Sequence, residues 1–445
     1  MIENIDVRKK NEISIFWFRR DFRLNDNAGL FEALKNSNSV LPLFIFDTEI
    51  LERLPSKEDK RVVFIHKAIS KLQNELLKIG SSMLVMHGSS LSVFQKLLNK
   101  YTITSVFANS DYEPKTIERD RQIFDFLKSK NVAFELLKDH VIFEKSEILK
   151  EDGSPFKIFT PYSKAWKQKL KQEKIRIFSS ENLLNNFYKT QPIEIPSLDE
   201  IGFKNIEIIT SQPFIDENII RHYDETRNLP SINGTSNLSV HLRFGTISIR
   251  ELVKIALDLN EQFLNELIWR EFFMMILYHH PYVVDESFKK KYNYIVWRNN
   301  EEEFKKWYLG ETGYPIVDAG MRELNETGFM HNRVRMIVAS FLTKHLLIDW
   351  RWGEAYFAEK LLDFELSSNN GNWQWSAGCG CDAMPYFRIF NPYEQMKKFD
   401  SDLIYTKKWV KNLNNPDYPT PIIEHKFARE RFLKLFKTTL ENYKI

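Results

Sequence analysis

The chain has 445 residues, 43% hydrophobic and 28% charged, a composition that excludes global disorder and, at about 150 residues per domain, leaves room for two or three domains. Its 63 basic and 60 acidic side chains give a net charge of +3, so the overall balance carries no nucleic-acid signature, although a groove can be basic within a balanced protein. No apolar run reaches the ~18 residues of a membrane-spanning helix, and no apolar segment followed by a small-residue cleavage site opens the chain, so a secretory signal is not expected. Over the first 140 residues, apolar runs at 13–18, 40–46, 83–86, 105–108 and 132–137 alternate with amphipathic stretches at 28–35, 59–78, 91–100 and 117–130. That alternation predicts right-handed βαβ units and a parallel sheet covered on both faces, with a crevice at the carboxyl ends of its strands. No GxGxxG follows the first run, which continues instead into WFRRDFRLNDN at 17–27, so a nicotinamide-dinucleotide reading lacks its main support.

Residues 138–200 read as a connector, with turn signals at Asp152-Gly153-Ser154-Pro155 and a basic patch at 164–174. From about 203 the pattern is helical, with helices predicted at 249–260, 264–279, 318–325, 332–348 and 352–362. Nine of the ten tryptophans lie in the chain after residue 160. Cys379 and Cys381 sit too close for a good disulfide and are too few for a zinc site, which with the N-terminus points to a reduced, cytoplasmic protein.

Four stretches carry chemistry. Gly234-Thr235-Ser236-Asn237-Leu238-Ser239 clusters hydroxyls before a helix, as either a phosphate cradle or an ordinary capped turn. Glu266, Trp269 and Arg270 share a helical face at i, i+3 and i+4, forming either a ligand face or a plain Glu–Arg pair. His331, ahead of Asn332-Arg333-Val334-Arg335-Met336, reads as a helix-end or core histidine. The run from Asp363-Phe364-Glu365 through Asn369-Asn370-Gly371-Asn372-Trp373-Gln374-Trp375 sets two indoles beside amides and carboxylates, which suits packing and ligand binding equally.

Together WFRRDFRLNDN, TSNLS at 235–239, ELIWREF at 266–272, TGYPIVDAGMRELNETGFMHNRVRM at 312–336, LLIDWRWGE at 346–354 and NNGNWQWSAGCGCDAMPYFRIFNP at 369–392 resemble the photolyase/cryptochrome flavoproteins, collinearly and over essentially the whole chain. The pattern is most similar to the class I cyclobutane pyrimidine dimer photolyases. The resemblance implies an α/β plus all-α architecture: an N-terminal doubly wound, parallel five-stranded, Rossmann-like antenna domain (1–137), the connector (138–200), and a C-terminal helical FAD-binding domain (201–445). It implies FAD held by Tyr223, Thr235, Ser236, Asn237, Leu238, Ser239, Phe263, Arg335, Asp363, Phe364 and Glu365, with Asn369 facing flavin N5 and Asp363 paired to Arg335. It implies a flipped-out dimer received by Glu266, Trp269, Asn332, Met336 and Trp375, DNA phosphates met by Arg227, Arg270 and Arg333, and an electron relay through Trp373, Trp350 and Trp297, with Trp307 or Tyr294 as other exits. The partner would be UV-damaged DNA containing cyclobutane pyrimidine dimers, with no membrane role and a monomeric state. A second antenna chromophore (folate, deazaflavin or flavin) stays open: a Cys-Lys pair of the folate site is missing around 282–290, and Asp111, Tyr112 and Glu113 are candidate contacts. Glu365 stands where Asp is common, Val240-His241 where Pro-Tyr is frequent, and Phe263 where Trp is frequent. The rival readings are a cryptochrome-type light sensor, a (6-4) photolyase and a flavin-free DNA-binding module. Asn369 and the Met330-His331-Asn332 sequence favour dimer repair.

Overall fold

The structure, a computed structural model, describes residues 12–442; residues 1–11, on which the absence of a secretory signal was partly expected, lie outside the described residues. Two compact units divide the chain: one takes residues up to Ile142, Ile175–Ile208 and His241–Leu252, the other Phe143–Lys174, Ile209–Val240 and Val253–Ile445. The stretch 138–200, expected as a connector, therefore contributes to both, and it holds a helix of its own (α5, Phe159–Gln172).

The first unit is the predicted doubly wound sheet. Strands β1 (Glu12–Phe18), β2 (Val40–Phe46), β3 (Leu84–His87), β4 (Thr102–Asn109) and β5 (Ala133–Leu137) are all parallel in the order β3-β2-β1-β4-β5. Helices α1 (Ala28–Asn36), α2 (Lys60–Lys78), α3 (Ser90–Lys100) and α4 (Pro114–Ser129) alternate with them. Six of the seven β1 residues and all of β2 are buried, because helices cover both faces of a parallel sheet and only continuous apolar runs suit its middle. The RRDFRLNDN segment following β1 ties this unit together from inside. Arg23 Nη2 meets Asp139 Oδ2 at 2.7 Å, Arg250 Nη2 meets Asp139 Oδ1 at 2.8 Å, and Arg250 Nε meets Asp26 Oδ1 at 2.9 Å. Burial alone would raise the Asp139 carboxyl, but Arg23 and Arg250 outweigh it and hold it well below the usual carboxylate range. Asn27 caps α1 by accepting from Leu30 N at 3.1 Å.

The second unit is helical. Its central helix α6 (Glu261–His279) buries residues around its whole circumference, as a helix apolar on every side must. It begins earlier than predicted because Asn260 accepts from Phe263 N at 3.0 Å and caps it. The unit also contains α7 (Pro315–Thr327), α8 (Asn332–Ser340), α9 (Trp350–Lys360), α10 (Leu366–Ala377), which packs on α6, and α11 (His425–Asn442). The single helix predicted over 332–348 is a correction. α8 stops at Ser340, a π-helical turn spans Phe341–His345, and Leu347 turns left-handed at φ 54°. The apolar periodicity runs through that turn unbroken, so sequence spacing does not register the wider hydrogen-bond ladder. A core of Trp307, Tyr314, Leu342, Trp350, Trp373 and Phe432 fills the unit.

Candidate functional site: a cavity in the helical unit

A doubly wound sheet normally receives its ligand where the strand order reverses, here at the carboxyl ends of β1 and β4. This chain fills that place with its own side chains. Asn109, ending β4, donates to Asp21 Oδ2 at 2.5 Å and to Asn27 Oδ1 at 2.9 Å. Arg19 clasps Asp120 through both carboxylate oxygens at 2.5 and 2.6 Å. Burial pushes the Asp21 carboxyl up to about 6. Nearby, Asp111 and Glu113 meet Arg20 at 3.4 and 3.3 Å, Arg243 reaches Glu113 at 2.8 Å, and Tyr112 is buried. These candidate antenna contacts each have an internal place already.

The helical unit instead contains a cavity of about 470 Å³, within the range of small-molecule pockets, about 300–1,000 Å³. Most of the residues singled out from the sequence line it: Tyr223, Arg227, Thr235 to Ser239, Glu266, Trp269, Arg270, Asn332, Arg335, Met336, Asp363, Phe364, Glu365, Asn369, Trp373 and Trp375. Phe263, Arg333, Trp350 and Trp297 stand outside this lining. Phe263 supports it from behind, edge-on to Tyr223 with ring centroids 5.1 Å apart. Arg333 lines a neighbouring cavity of about 270 Å³ together with Arg388, Lys398 and Phe399. Met336 and Trp375 line both spaces and so form the wall between them.

Close helix approach builds the floor. α10 contains Asn-Asn-Gly-Asn, a run of weak helix formers that the sequence did not mark as a helix. Packing holds it helical. A Cβ on Gly371 would stand 2.2 Å from Phe273 of α6, and one on Gly353 of α9 would stand 2.1 Å from the Trp373 ring. Only hydrogen at both positions lets α10 seat against its two neighbours.

The 235–239 segment settles as a turn with Asn237 at φ 52°, its carbonyl accepting from Ser211 Oγ at 2.8 Å, and all five residues face the cavity. On α6, the simple Glu266–Arg270 pair is not what forms. Glu266 pairs with Arg227 and accepts from Gln262 Nε2 at 2.8 Å, while Arg270 meets Glu365 at 3.3 Å. Burial, with Glu266 adding to it, pushes the Tyr223 phenol up to about 12, so it stays a neutral donor. Trp269 shows the cavity one side only: Phe159 of α5 stacks on it at 3.8 Å, 5° from parallel. His331 is the helix-end residue that its context suggested. Its ring accepts from Arg333 N at 3.2 Å, and burial with three nearby arginines lowers it to about 4.

Two polar atoms at the wall lack partners among the described residues, Asp363 Oδ1, which is buried, and Asn369 Oδ1. Arg335 Nη2 reaches Asp363 Oδ2 at 2.9 Å, the pairing expected, but Asp363 Oδ1 is buried and unsatisfied. Asn369 spends its amide hydrogens on Glu354, bonding the backbone oxygen at 3.0 Å and Oε1 at 3.1 Å. Buried polar atoms are costly unless satisfied, so a cavity wall carrying them fits a polar, planar ligand that supplies donors. Sequence reasoning missed Glu354, along with the lining residues Phe273, Phe329 and Phe357. Phe357, two turns beyond Trp350 on α9, was hidden in what looked like an ordinary amphipathic helix.

Of the proposed relay, Trp373 and Trp350 are buried and Trp297 is partly buried against Phe436, with centroids 5.9 Å apart. The ring contacts of Trp373 are to Phe357 at 5.0 Å and Trp307 at 6.1 Å. Trp307 is fully buried, so it is no surface exit, whereas Tyr294 is exposed.

Residues 263–417 match the FAD binding domain of DNA photolyase, and residues 14–178 match the DNA photolyase domain. A deoxyribodipyrimidine photo-lyase of Synechococcus sp. is 35% identical, over 95% of this chain and 96% of the relative. Among solved structures, the archaeal photolyase of Sulfolobus tokodaii with two FAD molecules is 35% identical with a TM-score of 0.82, covering 96% of this chain and 100% of that one. A bacterial class III photolyase from Agrobacterium tumefaciens is 29% identical with a TM-score of 0.85, covering 99% of this chain and 100% of that one.

Proposed function

Since this chain belongs to the DNA photolyase family, we propose that its helical cavity is the FAD and substrate site of a deoxyribodipyrimidine photo-lyase. The protein is a light-driven DNA repair enzyme that binds FAD and splits cyclobutane pyrimidine dimers. When bound and reduced, FAD supplies the light-excited electron that opens the cyclobutane ring and takes it back afterwards. The observation that carries the site assignment is the unsatisfied Asp363 Oδ1 at the wall of a cavity lined by 235–239, Arg335 and Asn369. Those groups fit an FAD: hydroxyls and backbone N–H groups for phosphates, and acceptors for the donors of a flavin ring.

The remaining wall serves the dimer. A dimer stacks and pairs poorly, so extruding it costs less than flipping a normal base. Met336, Trp375 and the open side of Trp269 give it apolar surfaces, and Asn332 gives it an amide. Glu266, held by Arg227 and Gln262, can hydrogen-bond the dimer's polar edge and stabilise the charge that builds there after electron injection. Arg333, Arg388 and Lys398 around the neighbouring cavity are placed to meet DNA phosphates and set register. Trp373, Trp350 and Trp297 are proposed to refill the flavin's electrons. On this reading the enzyme acts as a monomer in the cytoplasm, and no helix among the described residues is long and apolar enough to cross a membrane. An antenna chromophore is proposed for the sheet unit; the Sulfolobus relative carries a second FAD.

The test is repair of UV-irradiated oligothymidylate by FAD-loaded, chemically reduced protein. Blue light should restore the ultraviolet absorbance of the intact bases, and darkness should not. Restoration in neither condition, or action on (6-4) lesions alone, would overturn the assignment.

A further inference from the structure

Glu354 lies on α9, one residue beyond the glycine against which the Trp373 ring packs. That close approach brings α9 and α10 near enough for Asn369 to donate its side-chain nitrogen twice to Glu354, to the backbone oxygen at 3.0 Å and to Oε1 at 3.1 Å. An amide nitrogen has two hydrogens, and both are used. Asn369 Oδ1 accepts nothing from the described residues and belongs to a residue that lines the cavity. The amide therefore presents an acceptor to the ligand and keeps its donors behind.

Nothing about asparagine alone fixes that orientation, since either end of the amide could face outward. The backbone oxygen of Glu354 and its ionised carboxylate fix it together, because both accept and neither donates. Among the described residues no cation pairs with Glu354, and burial pushes its carboxyl up to about 7 while the Asn369 bond pulls it back down. A partly buried carboxyl without a counter-charge lowers stability unless it has work to do.

We propose that Glu354 is a positioning residue that locks the Asn369 amide with its carbonyl oxygen toward the cavity, as an acceptor for a ring N–H of the bound flavin. This rests on the reading of the cavity as the FAD site. Replacing Glu354 by leucine removes the side-chain acceptor and the charge and leaves the backbone oxygen as a single acceptor for the amide. A glutamine there keeps an acceptor, but its own amino group can also donate to Asn369 Oδ1, so both amide orientations become available.

The experiment uses the full chain with 15N-labelled asparagine, the Asn369 side-chain signal being assigned by its loss in Asn369→Ser. In flavin-free protein, the hydrogens of the Asn369 amide should exchange with solvent slowly. Glu354→Leu should speed that exchange by at least about tenfold, and Glu354→Gln by less. In FAD-loaded protein, both Glu354 variants should retain one FAD per chain and shift the two-electron midpoint potential to more negative values. The shift should vanish when Asn369 is already leucine. Unchanged amide exchange in Glu354→Leu would overturn the proposal, as would a potential shift of equal size in the Asn369→Leu background. If wild-type protein takes up no FAD, the assignment of the cavity fails separately, and the exchange result still decides whether Glu354 holds the amide.

Discussion

The two units hold two buried carboxylates in different ways. In the sheet unit, Asp139 is enclosed and both its oxygens are occupied by guanidinium groups of Arg23 and Arg250. In the helical unit, Asp363 has one oxygen on Arg335 and one without a partner among the described residues, where Glu354 likewise faces an amide instead of a cation. A carboxylate with both oxygens bound specifies a fold, because removing any member strands the others. A carboxylate with an unsatisfied oxygen at a cavity wall is, on the function proposed above, what a bound ligand completes. The place where a doubly wound sheet ordinarily binds ligands is closed here by Asn109 and Asp21, and the carboxylate with an unsatisfied oxygen lies at the helical cavity.

Removing the doubly paired carboxylate should give the largest effect on folding. Asp139→Ala strands two buried guanidinium groups and should lower stability by about 3–5 kcal/mol in thermal or denaturant melts. Because the folded Asp139 carboxyl lies below its ordinary 3.8, this contribution is complete above that value and fades as pH falls toward the folded one, so wild type and variant should converge in acid.

A methyl group at Gly353 sharpens the comparison from the other side. It meets the Trp373 ring and Leu342 at van der Waals-forbidden distances, so Gly353→Ala should cost about 2 kcal/mol by overpacking and weaken flavin retention as well. The coupling of these two losses distinguishes it from Asp139→Ala, whose folded fraction should still bind FAD.

A pH series separates the uncompensated carboxyl from the paired one. Glu354 titrates near 7 in the folded protein against an ordinary 4.5. Its raised value means that wild type is favoured at low pH and loses that advantage as pH rises through about 7. Relative to Glu354→Gln, flavin-free wild type should therefore lose about 3 kcal/mol between pH 4 and pH 8 in paired melts, a direction opposite to that for Asp139. The smallest structural effect belongs to Trp297→Phe, which keeps an aromatic against Phe436 and should cost less than about 1 kcal/mol. Photoreduction of oxidised FAD should nevertheless slow sharply, while repair by chemically reduced protein stays near wild type. Loss of both would make Trp297 a packing residue.

Much of this contrast was legible in the sequence, and the exceptions share a cause. The βαβ alternation could be read because apolar runs such as Val40–Phe46 have nowhere to go but the middle of a parallel sheet. The cavity wall could be read because its residues sit in long motifs that resemble one family. α10 could not, since its Asn-Asn-Gly-Asn run is helical only through contact with Phe273 and α9. Phe159 covering Trp269, and Glu354 holding Asn369, are pairings between separate elements that no local pattern announces. The π-helical turn after Ser340 is invisible for a different reason: it preserves the apolar periodicity while changing the hydrogen bonds.

The claim that the unsatisfied carboxylate oxygen marks the cofactor site is tested most directly by titrating flavin-free protein with FAD in a calorimeter, wild type against Asp363→Ala. Loss of a charged acceptor is worth roughly 1.5–3 kcal/mol, so the dissociation constant should rise about 10- to 100-fold while one FAD still binds per chain. An unchanged dissociation constant in a variant that melts like wild type would contradict the account.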